Sequence, residues 1–171
     1  MINIIENSIT HRERADLEAS LLSEQFPWYF QKQMVDDSDD FFFCHNLLLR
    51  DLDSNGPGKV VSTVWDKVYP IFTRIVPHSV VYRAAFNLTF ESSKGLLHST
   101  PHRDHLFDHN NFILYINKVS QGDTHIFDDK FNEIDIIEPV PKRAVTFPGL
   151  LHAQGYCEKG EKRLVLVVTY K

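Results

Sequence analysis

The stretch SVVYRAAFNLTF (79–90) decides the architecture. In it Val80, Tyr82, Ala84, Phe86, Leu88 and Phe90 alternate with Val81, Arg83, Ala85, Asn87 and Thr89. A period of two belongs to a strand whose two faces meet different surroundings. The same period returns in Phe112, Leu114 and Ile116, and again in Leu164, Leu166, Val168 and Tyr170. Shorter runs at 133–137 and 143–147 are parted by turn formers such as Gln121-Gly122-Asp123 and Pro148-Gly149. Upstream the period changes. Leu17, Leu21, Leu22 and Phe26 fall at helical spacing, which predicts a helix over 9–25 capped by Ser8 or Thr10. The acidic run Asp36 to Asp40 reads as a solvated turn that enters a buried strand at Phe41-Phe42-Phe43. After the turn SNGPG (54–58), Val61, Val64, Trp65, Val68, Phe72 and Ile75 predict an amphipathic helix that Pro70 should kink. The first half therefore reads as helices plus a strand, and the second as short strands. That order predicts an α+β, mainly β chain: a β-sandwich or jelly roll backed by N-terminal helices. No repeat or linker divides it, so one domain over 1–171 is expected, with a helical support region at 1–78 and the jelly-roll core at 79–171.

Composition narrows the function classes. Apolar residues are 43% and charged residues 24%, the balance of an ordinary globular protein. With a formal net charge of −5, neither nucleic acid nor an anionic membrane is an expected partner, because phosphate contacts need clustered cations. No apolar run is long enough for a transmembrane helix, and MINIIENSITHRER (1–14) does not read as a secretory signal. Cys44 and Cys157 are too few for a disulfide scaffold, so free thiols and a cytoplasmic location are expected.

Nine histidines are unusual for this length, and His98, His102, His105 and His109 crowd into a dozen residues. Chelation by i, i+4 pairs on a helix is disfavoured by Pro101 and by flanks that lack helical periodicity. The sharper pattern is His102-Arg103-Asp104. Residues two apart in a strand share a face, so an imidazole and a carboxylate could grip one cation, with His152 supplying a third ligand from beyond the turn Phe147-Pro148-Gly149. Two histidines and one carboxylate on one side of Fe(II) leave three positions open for a cosubstrate and oxygen. Nine His and 14 Asp in 171 residues give roughly 0.7 chance occurrences of His-x-Asp, so the triplet alone carries no weight. Its context matters more. Arg163 opens an otherwise apolar strand, where a guanidinium fork suits the far end of a dicarboxylate. His98, His105, His109 and His125 read as loop residues without a metal role, and Cys157 as an incidental thiol.

The pieces PHRDH (101–105), FILYIN (112–117), QGDTHIF (121–127), RAVTFPGLLHA (143–153) and KRLVLVVTY (162–170) together resemble the 2-oxoglutarate and Fe(II)-dependent oxygenases, in the branch similar to prolyl 4-hydroxylases. The resemblance spans a little over half the chain and implies a double-stranded β-helix (jelly-roll) core. It implies His102, Asp104 and His152 as iron ligands and Arg163 as partner of the remote carboxylate of 2-oxoglutarate. It further implies that Tyr115 hydrogen-bonds this cosubstrate, with Asn87 and Asn117 as supporting or cosubstrate contacts. The implied reaction is hydroxylation of a peptidyl side chain or small molecule, with release of succinate and carbon dioxide. Fe(II), 2-oxoglutarate and O2 are the implied cofactors, with ascorbate an optional addition.

Two features depart from that branch. Many of its members carry Lys at the cosubstrate position, and here Lys162 precedes Arg163. Alternation favours Arg163, because Lys162 would share the face of Leu164 and Leu166. The insert HLFDHNN (105–111) is not diagnostic. Two other readings stay open at this point: a cupin-like metalloenzyme that does not use 2-oxoglutarate, and a non-catalytic jelly-roll binding module. Pro148-Gly149-x-x-His152 suits a cupin superficially, but His-Arg-Asp lacks the glutamate a cupin would carry.

Overall fold

A computed structural model describes residues 1–51 and 54–171. Along the chain run β1 (Asn3–Ile5), α1 (His11–Leu21), β2 (Tyr29–Gln31), β3 (Phe42–Leu49), β4 (Lys59–Val60), α2 (Trp65–Ile75) and β5 (Val81–Thr89). Then follow β6 (Asn110–Tyr115), β7 (Thr124–Phe127), β8 (Glu133–Ile137), β9 (Ala144–Pro148), β10 (Leu151–Gln154) and β11 (Arg163–Tyr170). They form two antiparallel sheets. The larger has the order β1-β9-β6-β11-β5-β3-β2, with β4 on β3, and the smaller the order β10-β7-β8. Isolated bridges from His98 to Gly155 and from His102 to His152 extend the smaller sheet. This is a mainly β jelly roll backed by two helices.

Alternation along the strands separates two cores. On the outer face of the large sheet, Phe86, Phe112, Leu114, Leu164, Leu166 and Val168 pack with Leu21, Trp65, Val68 and Phe72 from the helices. On its inner face Ile113, Tyr115, Val145, Phe147 and Val165 meet Ile126 and Ile137 of the small sheet. Arg163 is two residues from Val165, so the same alternation turns it inward, and Lys162 precedes the strand.

The N-terminal half differs from its sequence reading. Four strands lie within the first 78 residues where one was expected, and all join the large sheet. Strands at a sheet edge are short and patterned weakly, which hides them from periodicity. Helix α1 is shorter than 9–25. Thr10 caps it with a capping box, its hydroxyl accepting from Glu13 N while Glu13 accepts from Thr10 N. Helix α2 begins at Trp65, so Val61 lies before it and is exposed; Pro70 lies inside a helix that continues to Ile75.

The acidic run is a solvated turn only in part: Asp36 and Asp37 are exposed, but Asp39 and Asp40 are 3% and 4% exposed. The Asp39 carboxylate accepts from Val35 N (2.9 Å), Asp36 N (3.3 Å), Thr100 N (2.7 Å) and Thr100 Oγ1 (3.1 Å). Asp40 accepts from the hydroxyls of Ser92 and Ser93. Buried carboxylates persist only when donors surround them, and these have them.

Phe72 joins helix to sheet, fully buried with ring centroids 5.3 Å from Phe112 and 5.6 Å from Tyr170. Truncation there leaves a cavity between two rigid layers. Phe72→Ala is expected to cost about 3–5 kcal/mol of stability, measured by urea unfolding; a cost under about 1 kcal/mol would show that the helices do not cover a packed core.

Candidate metal centre and ligand pocket

Residues 98–105 form no helix, which removes i, i+4 chelation from consideration. His102 and His152 face each other instead across an antiparallel bridge. Each main-chain N–H donates to the other's carbonyl at 2.9 Å. Paired residues across such a bridge put their side chains on one face, and the two imidazole centroids are 4.6 Å apart. Asp104 lies outside any regular strand, yet its side chain reaches the same point. His102, Asp104 and His152 each offer a ligand atom, all within 4.8 Å of one another, and they form the one such group of three or more among the described residues.

The tautomers suit metal binding. His102 Nδ1 faces Thr100 O at 3.3 Å, and His152 Nδ1 faces Leu150 O at 3.0 Å. A ring nitrogen beside a carbonyl carries the hydrogen and donates it, which leaves the Nε2 lone pair free to ligate. Asp104 divides its oxygens between two tasks. Oδ1 accepts from Arg83 Nη1 at 3.2 Å, while Oδ2 is buried without a hydrogen-bond donor and lies 3.4 Å from His152 Nε2. Two ligands bonded to one cation at about 2.1 Å and at right angles lie about 3 Å apart, close to this separation. Burial by itself would raise the Asp104 carboxyl, but His152, Arg83 and His102 outweigh it and hold it below the usual carboxylate range. Burial lowers His152, opposed by the Asp104 carboxylate beside it. The orphaned oxygen and two free Nε2 atoms are a donor set that a divalent cation fits.

Across the same pocket sits Arg163, 2% exposed. Nη1 donates to Gln154 Oε1 (3.3 Å) and Nη2 to Thr124 Oγ1 (3.0 Å), while Nε is buried without an acceptor. Among the described residues no carboxylate lies within 4.0 Å of it. A buried cation without an anion is costly, so this arrangement suits an anionic ligand entering the pocket. The guanidinium lies 5.4 Å from the Tyr115 ring centroid, and Tyr115 Oη bonds Thr124 Oγ1 at 2.6 Å. Gly122 packs against Arg163 with φ +119°, where an added Cβ would come within 2.9 Å of Arg163 Cδ.

The remaining sequence candidates divide. Asn87 lines the pocket, and its Oδ1 is buried without a partner. Asn117 is committed to the backbone on either side of Arg163, donating to Lys162 O (2.7 Å) and accepting from Leu164 N (2.8 Å). Tyr115 is buried under Arg163 and does not line the pocket. His125 belongs to β7 rather than a loop, bonded to Glu133 at 2.6 Å. His105 and His109 are buried, with His105 Nε2 on Thr169 Oγ1 at 2.7 Å. Burial pushes the Cys157 thiol up to about 11, away from nucleophilic chemistry.

Sequence reasoning missed Arg83, Thr124 and Gln154, although alternation could have found two of them. Arg83 shares a strand face with Asn87, and Gln154 shares one with His152. Met34 and Phe42 also line the pocket, and no pattern marked them.

No family model and no curated protein matches the sequence. Solved structures match the fold over 99% of this chain. One is an oxidoreductase of the 2OG-Fe(II) oxygenase family from Burkholderia pseudomallei, with TM-score 0.75, 12% identity and 84% of that chain covered. Another is a Pseudomonas putida prolyl-4-hydroxylase, with TM-score 0.65, 13% identity and 91% covered. A third is the epimerase SnoN in complex with Fe3+, alpha ketoglutarate and nogalamycin RO, with TM-score 0.68, 11% identity and 78% covered. The chain has the fold of the 2-oxoglutarate/Fe(II) oxygenases, prolyl 4-hydroxylases among them, in agreement with the sequence resemblance.

The geometry sets an expectation for cation binding. Mn(II) titration followed by electron paramagnetic resonance should give one site per chain. Asp104→Ala should weaken it by at least about a hundredfold, beyond the loss usual for residues that only support a ligand. Equal binding by the variant would remove Asp104 from the donor set.

Proposed function

We propose that the chain is an Fe(II)- and 2-oxoglutarate-dependent dioxygenase that hydroxylates a peptidyl side chain or a small molecule. One observation carries this reading: a buried His102, Asp104 and His152 donor set shares a pocket with a buried guanidinium that has no carboxylate within 4.0 Å among the described residues. A cupin-like enzyme indifferent to 2-oxoglutarate would have no use for that second feature, nor would a non-catalytic module.

In this reading Nε2 of His102, Nε2 of His152 and Oδ2 of Asp104 hold the ion from one side. Arg83 occupies the other carboxylate oxygen, so Asp104 offers a single ligand atom. When bound, Fe(II) with 2-oxoglutarate and O2 supplies the oxidising chemistry, converting cosubstrate and substrate to succinate, carbon dioxide and the hydroxylated product. Arg163 receives the remote carboxylate through its planar fork, a task for which Lys is a poor substitute. Thr124 and Gln154 fix the fork, Tyr115 backs it, and Asn117 holds the backbone that carries it. The free Nε2 of Gln154 is the remaining donor for the cosubstrate, whose oxygens only accept, while the Oδ1 of Asn87 lines the same pocket as an acceptor. Ile113, Val165 and Val167 keep the floor apolar, which excludes water and strengthens each charged contact. Met34 and Phe42 add an apolar wall. No helix among the described residues is long and apolar enough to cross a membrane. Cytoplasmic residence belongs to the proposal, and the buried free thiols of Cys44 and Cys157 are consistent with it.

Anaerobic addition of Fe(II) and 2-oxoglutarate should produce a visible charge-transfer band, and admitting O2 should release succinate. Arg163→Ala should keep Mn(II) binding and lose the band at cosubstrate levels that saturate the wild type. No band and no succinate from the wild type would reject the assignment.

Acid should expel the metal, because a protonated imidazole cannot ligate. Burial holds the His152 imidazole below its ordinary value of about 6.5, so protons compete only at a lower pH than for a free imidazole. Mn(II) affinity should therefore persist through neutrality and fall steeply in acid. Affinity that rises on acidification would contradict histidine ligation.

A further inference from the structure

The buried carboxylate of Asp39 does more than close its own loop. On one side Oδ2 accepts from Val35 N and Asp36 N, in the segment that follows pocket-lining Met34. On the other side Oδ1 accepts from both N and Oγ1 of Thr100, at 2.7 and 3.1 Å. The Thr100 carbonyl faces Nδ1 of His102 at 3.3 Å and so sets the tautomer and direction of that ring. One side chain therefore links the wall of the pocket to a member of the donor set. This charge-assisted pair of bonds restrains the Ser99–Thr100 peptide and the Thr100 side chain, both joined through one Cα to the carbonyl that faces His102.

Besides Asp39, the Ser38 hydroxyl of the same loop lies 3.3 Å from Thr100 Oγ1, whereas the loop contacts of Asp40 and Lys94 avoid Thr100. Asp40 bonds Ser92 and Ser93, its own N–H donates to Tyr156 Oη at 3.1 Å, and Lys94 Nζ reaches the carbonyls of Asp37, Ser38 and Asp39. Loop attachment and control of Thr100 can thus be separated by mutation.

We infer that Asp39 is a positioning residue for His102, acting through Thr100 and tying the orientation of that imidazole to the pocket segment at Met34. The inference rests on the metal-centre reading given under Proposed function. Neutral Asn at position 39 would replace one acceptor oxygen with an amide nitrogen, so the bonds to Thr100 and to the Val35–Asp36 backbone cannot all survive. Outer partners of ligating histidines typically control metal affinity by about tenfold to a hundredfold.

The test titrates Co(II) into the full chain and reads both affinity and the visible d–d spectrum. It compares wild type, Asp39→Asn and Asp40→Asn, with thermal unfolding of each recorded in parallel. Asp39→Asn should weaken Co(II) about tenfold or more and shift the spectrum. Asp40→Asn, which loosens the same loop, should lower thermal stability and leave affinity within about twofold of wild type. Co(II) affinity and spectrum unchanged in Asp39→Asn would overturn the inference while leaving the metal centre intact. Equal weakening by both variants would also overturn it, since loop attachment would then explain everything. A wild-type chain that binds no Co(II) would overturn the metal centre and, with it, this role for Asp39.

Discussion

Two main-chain hydrogen bonds, from His102 to His152 and back, are the constraint on which the site depends. They join a loop that precedes β6 to a strand fifty residues later, and they set two imidazoles side by side although His102 lies outside any regular strand. Backbone bonds fix direction better than side-chain contacts, because the peptide units have no rotamers to lose. With the two rings placed, the carbonyls of Thr100 and Leu150 select their tautomers. Asp104 then needs only to reach a point already defined, which it does from irregular backbone.

Electrostatics divides the pocket into two ends of opposite character. Asp104 presents an unpartnered oxygen at one end, and Arg163 presents an unpartnered N–H at the other. Neither charge neutralises the other, because Asp104 takes Arg83 as its partner and Arg163 is held by neutral oxygens. A fold shaped only for stability would have brought them together or replaced both with apolar side chains. Retaining both, buried and apart, is the mark of a cavity shaped for ligands that carry their own charge.

The central strands of the large sheet were legible in the sequence because they are long and buried on both faces with different partners. Alternation in 163–170 set Arg163 on the face opposite Leu164 and Leu166, and the structure packs those leucines toward the helices. His102, Asp104 and His152 could be named because a double-stranded β-helix brings such spacings together; the bridge that does so leaves no trace in local pattern. The N-terminal strands were illegible for a different reason. Tyr29–Gln31 and Lys59–Val60 are short edge strands whose pairing is decided by β3, not by their own composition. Asp39 and Asp40 misled because a run of acids resembles a wet turn unless the donors from residues 92–100, far along the chain, are known.

Strand β11 lies at the centre of the large sheet, paired with β5 on one side and β6 on the other. During synthesis it emerges after every strand it joins, so β5 and β6 stay unzipped from each other until residues 163–170 leave the ribosome. The buried guanidinium of Arg163 arrives with that same segment. A polypeptide lacking residues 163–170 would lack both the keystone of the sheet and the buried guanidinium of the pocket, so closure of the sheet and arrival of that charge are one event.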